Sequence, residues 1–327
     1  MKNLELSLII GMAVVFLLVG MFSFTAAGIV SARPDPHFTM LLPGEDLELT
    51  ADDYIATLGE TKMVRILWGH PFEHVLFDCP VAPKVNLRNP EGSVTVLTPS
   101  EITVEGEKAY QVSFTVEKLG DYIVYAELVA EEHGLIDYAK AVIHCGEEAW
   151  YGWEAEVGQE VEIIPFTRPY GLEEGFVFTG KVLYKVAPLS GATVEVEMYH
   201  TKSVGDAVVA KTEERFPEDP PMMFTRVTTT NQNGEFAYTL DEPGVWFIGA
   251  TKEIDGDLDK RAVMIVPVLE AFPEGKAGPP GPAGTQGPAG PQGPPGPPGG
   301  GSWVYAALGI AIVALIIGGI SLARRQR

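Results

Sequence analysis

Short segments rich in β-branched and aromatic residues, separated by glycine, proline and aspartate, run through the middle of this chain. They include residues 94–97, 110–116, 122–126 and 141–144. Apolar residues in these segments alternate with polar ones or cluster over a few positions, which is typical of strands rather than helices. Short strands at this spacing predict an all-β fold of the sandwich type. We assign a first, immunoglobulin-like β-sandwich to residues 33–150.

A second set of strand-like segments follows, at residues 178–184, 188–198, 228–240 and 243–250. Asn233-Gly234 is a strong cue for a hairpin turn. The order of the segments resembles the small transthyretin-like or carboxypeptidase-regulatory-like sandwich, and this resemblance implies a second β-sandwich over residues 151–270. The proline-containing stretch from about Thr201 to Phe224 predicts a long loop. Such a fold gives no activity by itself.

The amino-terminal end of the chain is apolar. Lys2 is followed by an apolar run from Leu6 to about Val30, and small residues precede Arg33. This pattern predicts a secretory signal peptide over residues 1–32 or, if it is not cleaved, a membrane anchor. In both cases the residues that follow lie outside the cytoplasm.

The carboxy-terminal end predicts a membrane span. Residues 303–323 contain no charged side chain and are followed by a basic tail, Arg-Arg-Gln-Arg, at 324–327. A segment of this length and composition is typical of a transmembrane helix with its basic end in the cytoplasm. We therefore predict a single-pass protein of the cell membrane with its β-domains outside.

Residues 271–302, between the β-domains and this helix, contain a collagen-like repeat. From Gly275 to Gly301, glycine opens nine consecutive triplets. Glycine at every third position allows three polyproline chains to meet at one axis, so this stalk could join three copies into a homotrimer. The alternative is a semi-rigid spacer of roughly 80 Å. Either stalk holds the β-domains away from the membrane.

The chain carries a strong excess of acid. It contains 44 Asp and Glu against 23 Lys and Arg, a formal net charge of −21 at pH 7. An acidic surface repels nucleic acid and raises the local concentration of cations. We therefore expect no nucleic-acid partner. The alternative for the acidity is that it only keeps an exposed protein soluble.

Three of the chain's six histidines lie in its first part: His70 and His74 in the sequence Trp68-Gly-His-Pro-Phe-Glu-His74, and His37 about thirty residues earlier. His70 and His74 stand four residues apart with Glu73 beside the second, so a tight loop can bring two imidazoles and a carboxylate to one point. These ligands suit a borderline divalent transition metal ion. The alternative is that His70 ends a strand and that Glu73 and His74 are solvated loop residues.

The same residues match a second motif. His70-Pro-Phe-Glu-His74 has the H-x-x-E-H pattern of inverted zinc peptidases, in which two histidines hold zinc and the glutamate activates water. That chemistry requires a substantial helix, whereas Pro71 can only open one and strands surround the motif. No G-x-S-x-G elbow, phosphate loop or dinucleotide fingerprint is present either. The chain is therefore not predicted to be an enzyme.

Cys79 and Cys145 are the only cysteines. Because disulfides form in exported domains, the sequence predicts a bond that ties the loop at 74–80 to the strand at 141–145. The alternative is that the thiolates bind metal, with His144 beside Cys145.

Other conspicuous side chains have less specific roles in the sequence. His133 and His200 lie in polar stretches and are predicted to be solvated. Trp150, Trp153, Arg168 and Tyr170 predict a packed joint between the two domains, where an arginine can stack on aromatic rings.

Five stretches of sequence carry a family resemblance. They are Trp153 to Gly171, with its Pro-Phe-Thr-Arg-Pro-Tyr-Gly end, the strand pair at 178–199, the tail from Asn-Gly-Glu-Phe to Pro-Gly-Val-Trp, and two earlier pieces, His37-Phe-Thr-Met-Leu-Leu-Pro43 and Trp68 to His74. Together they resemble a domain-of-unknown-function family described as the periplasmic component of cobalt or nickel uptake systems. The resemblance covers residues 37–268.

This resemblance implies an extracytoplasmic protein that captures a divalent transition metal, nickel or cobalt being favoured, near a membrane importer. His37, His70 and His74 are then the expected ligands, with Glu73 or Asp78 supplying an oxygen or orienting an imidazole. The predicted stalk and span favour a tethered receptor over a free carrier. The alternative function is an anchored structural or adhesive surface protein with no metal role.

Overall fold

A computed structural model describes residues 37–44, 46–217, 225–252 and 258–272. The predicted signal or anchor segment, the transmembrane segment and the basic tail lie outside these ranges, and so does the predicted stalk apart from residues 271 and 272. Within the described ranges, no helix has the length and apolar character needed to cross a membrane.

The described residues form mostly strands, arranged in three sheets. The five-stranded sheet contains β1 (Phe38–Pro43), β3 (Thr61–His70), β4 (Val75–Phe77), β7 (Ser100–Val104) and β8 (Glu107–Thr115). The ten-stranded sheet contains β2 (Ile55–Ala56), β5 (Lys84–Arg88), β6 (Val94–Leu97), β9 (Gly120–Ala130), β10 (Leu135–Cys145), β12 (Leu172–Glu173), β15 (Thr193–Met198), β16 (Arg226–Thr229), β18 (Gly244–Lys252) and β19 (Asp259–Leu269). The four-stranded sheet contains β11 (Val161–Pro165), β13 (Phe176–Tyr184), β14 (Ala187–Pro188) and β17 (Glu235–Leu240).

The ten-stranded sheet lies between the two smaller sheets, and its central strands β9, β10, β18 and β19 are buried on both faces. In β9, Tyr122, Val124 and Ala126 belong to the core shared with the five-stranded sheet, whereas Ile123 and Tyr125 belong to the core shared with the four-stranded sheet. Strands covered on both faces have continuous apolar sequences. The prediction of an all-β protein with sandwich-like sheets is confirmed.

The ten-stranded sheet joins the two halves of the chain. Strands β10 and β19 pair in parallel, with Leu135 opposite Asp259 and Lys140 opposite Met264. Each outer sheet, by contrast, comes from one half, because the five-stranded sheet ends at Thr115 and the four-stranded sheet begins at Val161. The ranges 33–150 and 151–270 therefore contribute strands to a common middle layer.

The stretch predicted as a loop from Thr201 to Phe224 contains a helix, α1 (Lys202–Arg215). Alanine, lysine, glutamate and arginine are strong helix formers and are frequent here. Lys202 and Asp206 add an ion pair at 3.5 Å between positions i and i+4. The helix has no apolar stripe, so periodicity in the sequence did not reveal it.

Two 3-10 turns complete the described elements that matter for the site. Ala51–Tyr54 precedes β2, and Glu131–His133 connects β9 to β10. Gly134 ends the second turn in a left-handed conformation with φ of 65°, which glycine adopts at little cost.

Candidate metal centre

Three imidazoles meet at the point where β10 begins. His37 immediately precedes β1, His70 ends β3, and His133 ends the turn before β10. The ring centroids of His37 and His70 are 4.5 Å apart, and those of His37 and His133 are 4.4 Å apart. We call His37, His70 and His133 the histidine cluster.

Strand pairing explains why His37 and His70 meet. In the antiparallel pair β1–β3, Phe38 lies opposite Gly69, so the next pair outward is His37 and His70. Strand β3 then turns back into β4, with His70 opposite Val75. A Cβ on Gly69 would lie 2.1 Å from the carbonyl oxygen of Val75, so this hairpin accepts only glycine at position 69.

Two aromatic rings flank the histidine cluster. Trp68, which is 2% exposed, stacks on His37 with a centroid distance of 5.5 Å and an interplanar angle of 13°. Phe77 lies opposite Trp68 in the β3–β4 pair and contacts His37 and His70, at centroid distances of 4.8 and 5.3 Å. The imidazoles of His37 and His70 therefore pack against one buried and one partly exposed aromatic ring.

A carboxylate lies beside the histidine cluster. Glu73 Oε2 is 3.9 Å from His70 Nδ1. Burial raises the pKa of Glu73, and a positive charge on His37 opposes that shift. Binding a cation next to this partly buried carboxylate would favour its ionised form.

His74, a predicted ligand, faces a different part of the protein. It is 3% exposed and has a φ of 53°. Its Nδ1 lies 2.7 Å from the carbonyl oxygen of His200, and its Nε2 lies 3.2 Å from Glu105 Oε2. Both ring nitrogens therefore point at oxygen atoms of His200 and Glu105, away from His37 and His70. The structure therefore does not place His74 in a ligand set with His37 and His70.

The turn from Pro71 to His74 is fixed by the second half of the chain. The backbone N–H of His200 donates to the Pro71 carbonyl at 3.0 Å, and His200 Nδ1 lies 2.8 Å from the Phe72 carbonyl. A Cβ on Gly205 of α1 would lie 2.3 Å from the Glu73 carbonyl oxygen. Helix α1 thus packs directly on the backbone of Glu73.

The two cysteines are free thiols rather than the predicted disulfide. Both are buried in the core next to the five-stranded sheet, and burial raises the pKa of Cys79 to about 12. A thiol that stays protonated is a poor metal ligand. Asp78, the predicted oxygen donor or orienting group, accepts a 2.6 Å hydrogen bond from the backbone N–H of Lys108.

The far end of β10 contains a separate stack of side chains. His144 Nδ1 is 2.7 Å from Asp121 Oδ1, and the His144 ring stacks on Tyr170 at 4.4 Å. The Arg168 guanidinium lies over the rings of Tyr170 and Trp150, at 4.9 and 5.2 Å. This is the arginine–aromatic joint that the sequence predicted between the two halves, roughly 30 Å along the strand from the histidine cluster.

Two buried carboxyl groups lie on β15 near the site. Val194 and Val196 face the four-stranded sheet, so Glu195 and Glu197 point to the other side, and both glutamates are 2% exposed. Thr225 Oγ1 donates to Glu197 Oε1 at 2.5 Å. Burial of the Glu197 carboxyl group makes its ionisation costly.

Burial raises the pKa of Glu197 to about 8, and the negative charges of Glu73 and Glu195 act in the same direction. As the pH rises, the unfolded chain, with a carboxyl pKa of 4.5, therefore releases the Glu197 proton at a lower pH than the folded protein does. Below the pKa of the unfolded chain, Glu197 is protonated in both states and does not make the free energy of unfolding depend on pH. Between the unfolded and the folded pKa, the free energy of unfolding falls as the pH rises.

We expect Glu197→Gln to raise the free energy of unfolding at about pH 8 by roughly 2–4 kcal/mol, because the amide stays neutral where the carboxyl group must ionise. At about pH 5 the two proteins should differ much less. Urea unfolding at both pH values measures this, with Glu101→Gln, at an exposed position of β7, as the matched control. A pH dependence that is identical for Glu197→Gln and the unchanged protein would contradict it.

The described residues contain no group of three or more His, Cys, Asp or Glu whose atoms are already arranged to hold a metal ion. The imidazoles of the histidine cluster pack ring against ring. Coordination would therefore require them to turn about their side-chain bonds. The donor set itself, three imidazoles and one carboxylate, fits a borderline divalent ion.

His133 is the member of the cluster that the sequence did not reveal. It stands alone between two acidic residues and a glycine, in a stretch typical of a solvated turn. Only the tertiary arrangement of β1, β3 and β10 brings this turn to His37.

Sheets and site together define an all-β protein of sandwich-like layers with a histidine-rich site at one end. A family profile described as a domain of unknown function (DUF4198) matches residues 44–253. The chain belongs to this family. The matched range contains His70, Glu73 and His133, and begins after His37.

Comparison with curated proteins finds no match. Among solved structures, Salmonella alpha-2-macroglobulin reacted with methylamine is 12% identical with a TM-score of 0.23, over 76% of this chain and 16% of that one. The fibronectin(III)-like modules of Clostridium thermocellum CbhA are 13% identical with a TM-score of 0.21, over 73% and 99% of the two chains. A 1.5-MDa bacterial ice-binding adhesin is 9% identical with a TM-score of 0.21, over 73% and 66%. Likenesses at this level carry no argument about function.

Proposed function

We propose that this chain is a membrane-anchored, extracytoplasmic binding protein for a divalent transition metal ion. One observation carries the proposal: the rings of His37, His70 and His133 come from three separate segments and meet beside Glu73. Neutral imidazoles are the commonest metal ligands among side chains, and a neighbouring carboxylate offsets the charge of the ion. Protons compete for the same nitrogens, so affinity falls in acid.

The charge and the predicted ends of the chain support this role. A formal charge of −21 raises the concentration of cations near the protein. The predicted signal or anchor, stalk and span would tether the β-domains outside the cell membrane, and the collagen-like stalk would join three copies into a trimer. We propose nickel or cobalt as the ion and a metal importer in the same membrane as the partner. The finer fold we propose is immunoglobulin-like in the first half and transthyretin-like in the second.

A purely structural or adhesive role is the second candidate. The observation that favours it is the packing of the imidazoles against each other and against Trp68 and Phe77, without a coordinating arrangement. In that case the packing of the histidine cluster against these rings would only stabilise the β3–β4 hairpin. Metal titration separates the two candidates.

We do not propose a zinc peptidase. The H-x-x-E-H residues lie at a strand end and in a turn rather than on a helix. Both nitrogens of His74 are engaged by His200 and Glu105. The motif therefore lacks its second histidine ligand.

Calorimetric titration of the full chain in detergent with Ni(II), Co(II), Zn(II) and Cu(II) tests the proposal. We expect one stoichiometric site, lost when His37, His70 and His133 are all changed to glutamine. His144→Gln, at the far end of β10, is the matched control and should bind normally. Equal binding by the triple variant would overturn the assignment, and no binding by any protein would leave the structural role.

A further inference from the structure

The backbone beside the first histidine is held by an arginine from the other half of the chain. Arg261 lies on β19 and is 0% exposed. Its Nε donates to Asp137 Oδ1 at 2.8 Å and its Nη2 to Asp137 Oδ2 at 3.0 Å. The same Nη2 also donates to the carbonyl oxygen of His37.

Asp137 also binds the backbone of this segment. Its Oδ2 accepts a 2.9 Å hydrogen bond from the N–H of Thr39. The Arg261–Asp137 pair therefore holds the peptide groups on both sides of Phe38. The guanidinium also lies 4.3 Å from the centre of the Phe38 ring. With its carbonyl fixed, His37 has few backbone conformations left from which to extend its imidazole.

The fold keeps this pair in one orientation. Asp137 and Arg261 are directly opposite each other in the parallel pairing of β10 and β19. A fork of two parallel hydrogen bonds fixes the plane of the guanidinium. Gly249 on β18 leaves the necessary space, because a Cβ there would lie 2.8 Å from the Phe38 ring and 3.0 Å from Arg261 Cδ.

We propose that Arg261 and Asp137 are positioning residues of the metal centre. Neither touches the ion; they fix residues 37–39 and thereby direct the His37 imidazole toward His70 and His133. This inference rests on the proposed function. It makes the centre a property of both halves of the chain, since one half supplies the imidazoles and the other holds the first of them.

Outer groups that orient metal ligands typically contribute 10–100-fold to affinity. We expect Arg261→Lys and Asp137→Asn each to weaken Ni(II) or Co(II) binding by about 10–100-fold in the full chain. Lysine keeps the charge but cannot form the fork, and asparagine keeps the shape but loses the charge. Asp137→Asn removes the charged partner of a fully buried arginine, so Arg261→Lys, which keeps both charges, carries the test if Asp137→Asn does not fold.

The matched control is Glu162→Gln. Glu162 on β11 forms a buried ion pair with Lys140 of β10, at 2.9 Å, and its neighbours Val161 and Ile163 belong to the core next to the four-stranded sheet. This variant loses a buried charge in the same way as Asp137→Asn. Its metal affinity should stay within about twofold of the unchanged chain.

A measurement without metal separates this inference from the proposed function. In histidine-selective ¹H–¹⁵N NMR spectra of the metal-free chain, Arg261→Lys should move the imidazole signals of His37 and His70, while that of His144 stays. Unmoved His37 signals, or metal affinity equal to that of Glu162→Gln, would overturn the positioning role. Absence of binding by the unchanged chain would instead overturn the metal proposal, whatever the NMR spectra show.

Discussion

Replacing His133 with alanine is expected to weaken Ni(II) or Co(II) binding on the order of 100-fold, because it removes one of three imidazoles. His74→Gln is the informative comparison. His74 belongs to the motif that drew attention in the sequence, yet its nitrogens are engaged by His200 and Glu105. It should therefore leave metal affinity nearly unchanged and lower the free energy of unfolding by about 1–3 kcal/mol.

Calorimetric titration and urea unfolding of both variants give the two readouts. We expect opposite patterns: His133→Ala loses metal affinity and keeps its stability, whereas His74→Gln keeps metal affinity and loses stability. Loss of affinity in His74→Gln alone would restore the ligand set read from the sequence and remove His133 from the site. His133 is exposed at the end of a turn, so its replacement should not disturb the fold.

Gly69→Ala is expected to lower the free energy of unfolding by roughly 3–5 kcal/mol, the largest stability effect that we predict for a single methyl group. The added carbon would stand 2.1 Å from the Val75 carbonyl oxygen, and Leu76 Cα lies 3.1 Å away. Backbone atoms cannot move aside as a flexible side chain can. The β3–β4 hairpin must therefore open, which also separates His70 from Phe77.

Gly180→Ala provides the matched control for this change. Gly180 also lies within a strand, β13, and its nearest neighbours to an added Cβ are at 3.2 Å. Gly180→Ala should lower the free energy of unfolding by about 1 kcal/mol or less. Urea unfolding compares the two. A cost for Gly69→Ala no greater than that for Gly180→Ala would contradict the close approach of the two hairpin strands.

The sequence revealed the strands because their chemistry is local. The composition of residues 110–116 and 122–126 alone predicts extended structure, and the structure contains β8 and β9 there. The parallel pairing of β10 with β19 has no such signal. Any two apolar strands can pair, and only the complete set of sheets decides which ones do.

The candidate site divides in the same way. His70 and Glu73 are close in sequence, so their proximity in space follows from one short turn. His37 joins them through the register of β1 and β3, which the sequence hinted at only by clustering histidines in the first part of the chain. His133 required the tertiary fold.

His74 and α1 show where sequence patterns mislead. The spacing in the chain suggested that His74 and His70 bind the same metal ion. The left-handed backbone at His74 instead directs its side chain toward Glu105 and His200. Helix α1 has favourable composition without an apolar stripe, so its place over Glu73 depends on the close contact at Gly205.

X-ray absorption spectroscopy of the full chain with one equivalent of Ni(II) or Co(II) at neutral pH tests the central claim most directly. We expect the multiple-scattering signature of about three imidazole ligands together with a carboxylate oxygen. His133→Ala should reduce the imidazole signal, while His144→Gln should leave it unchanged. A spectrum of oxygen ligands only, with no imidazole contribution, would contradict a metal centre at the histidine cluster.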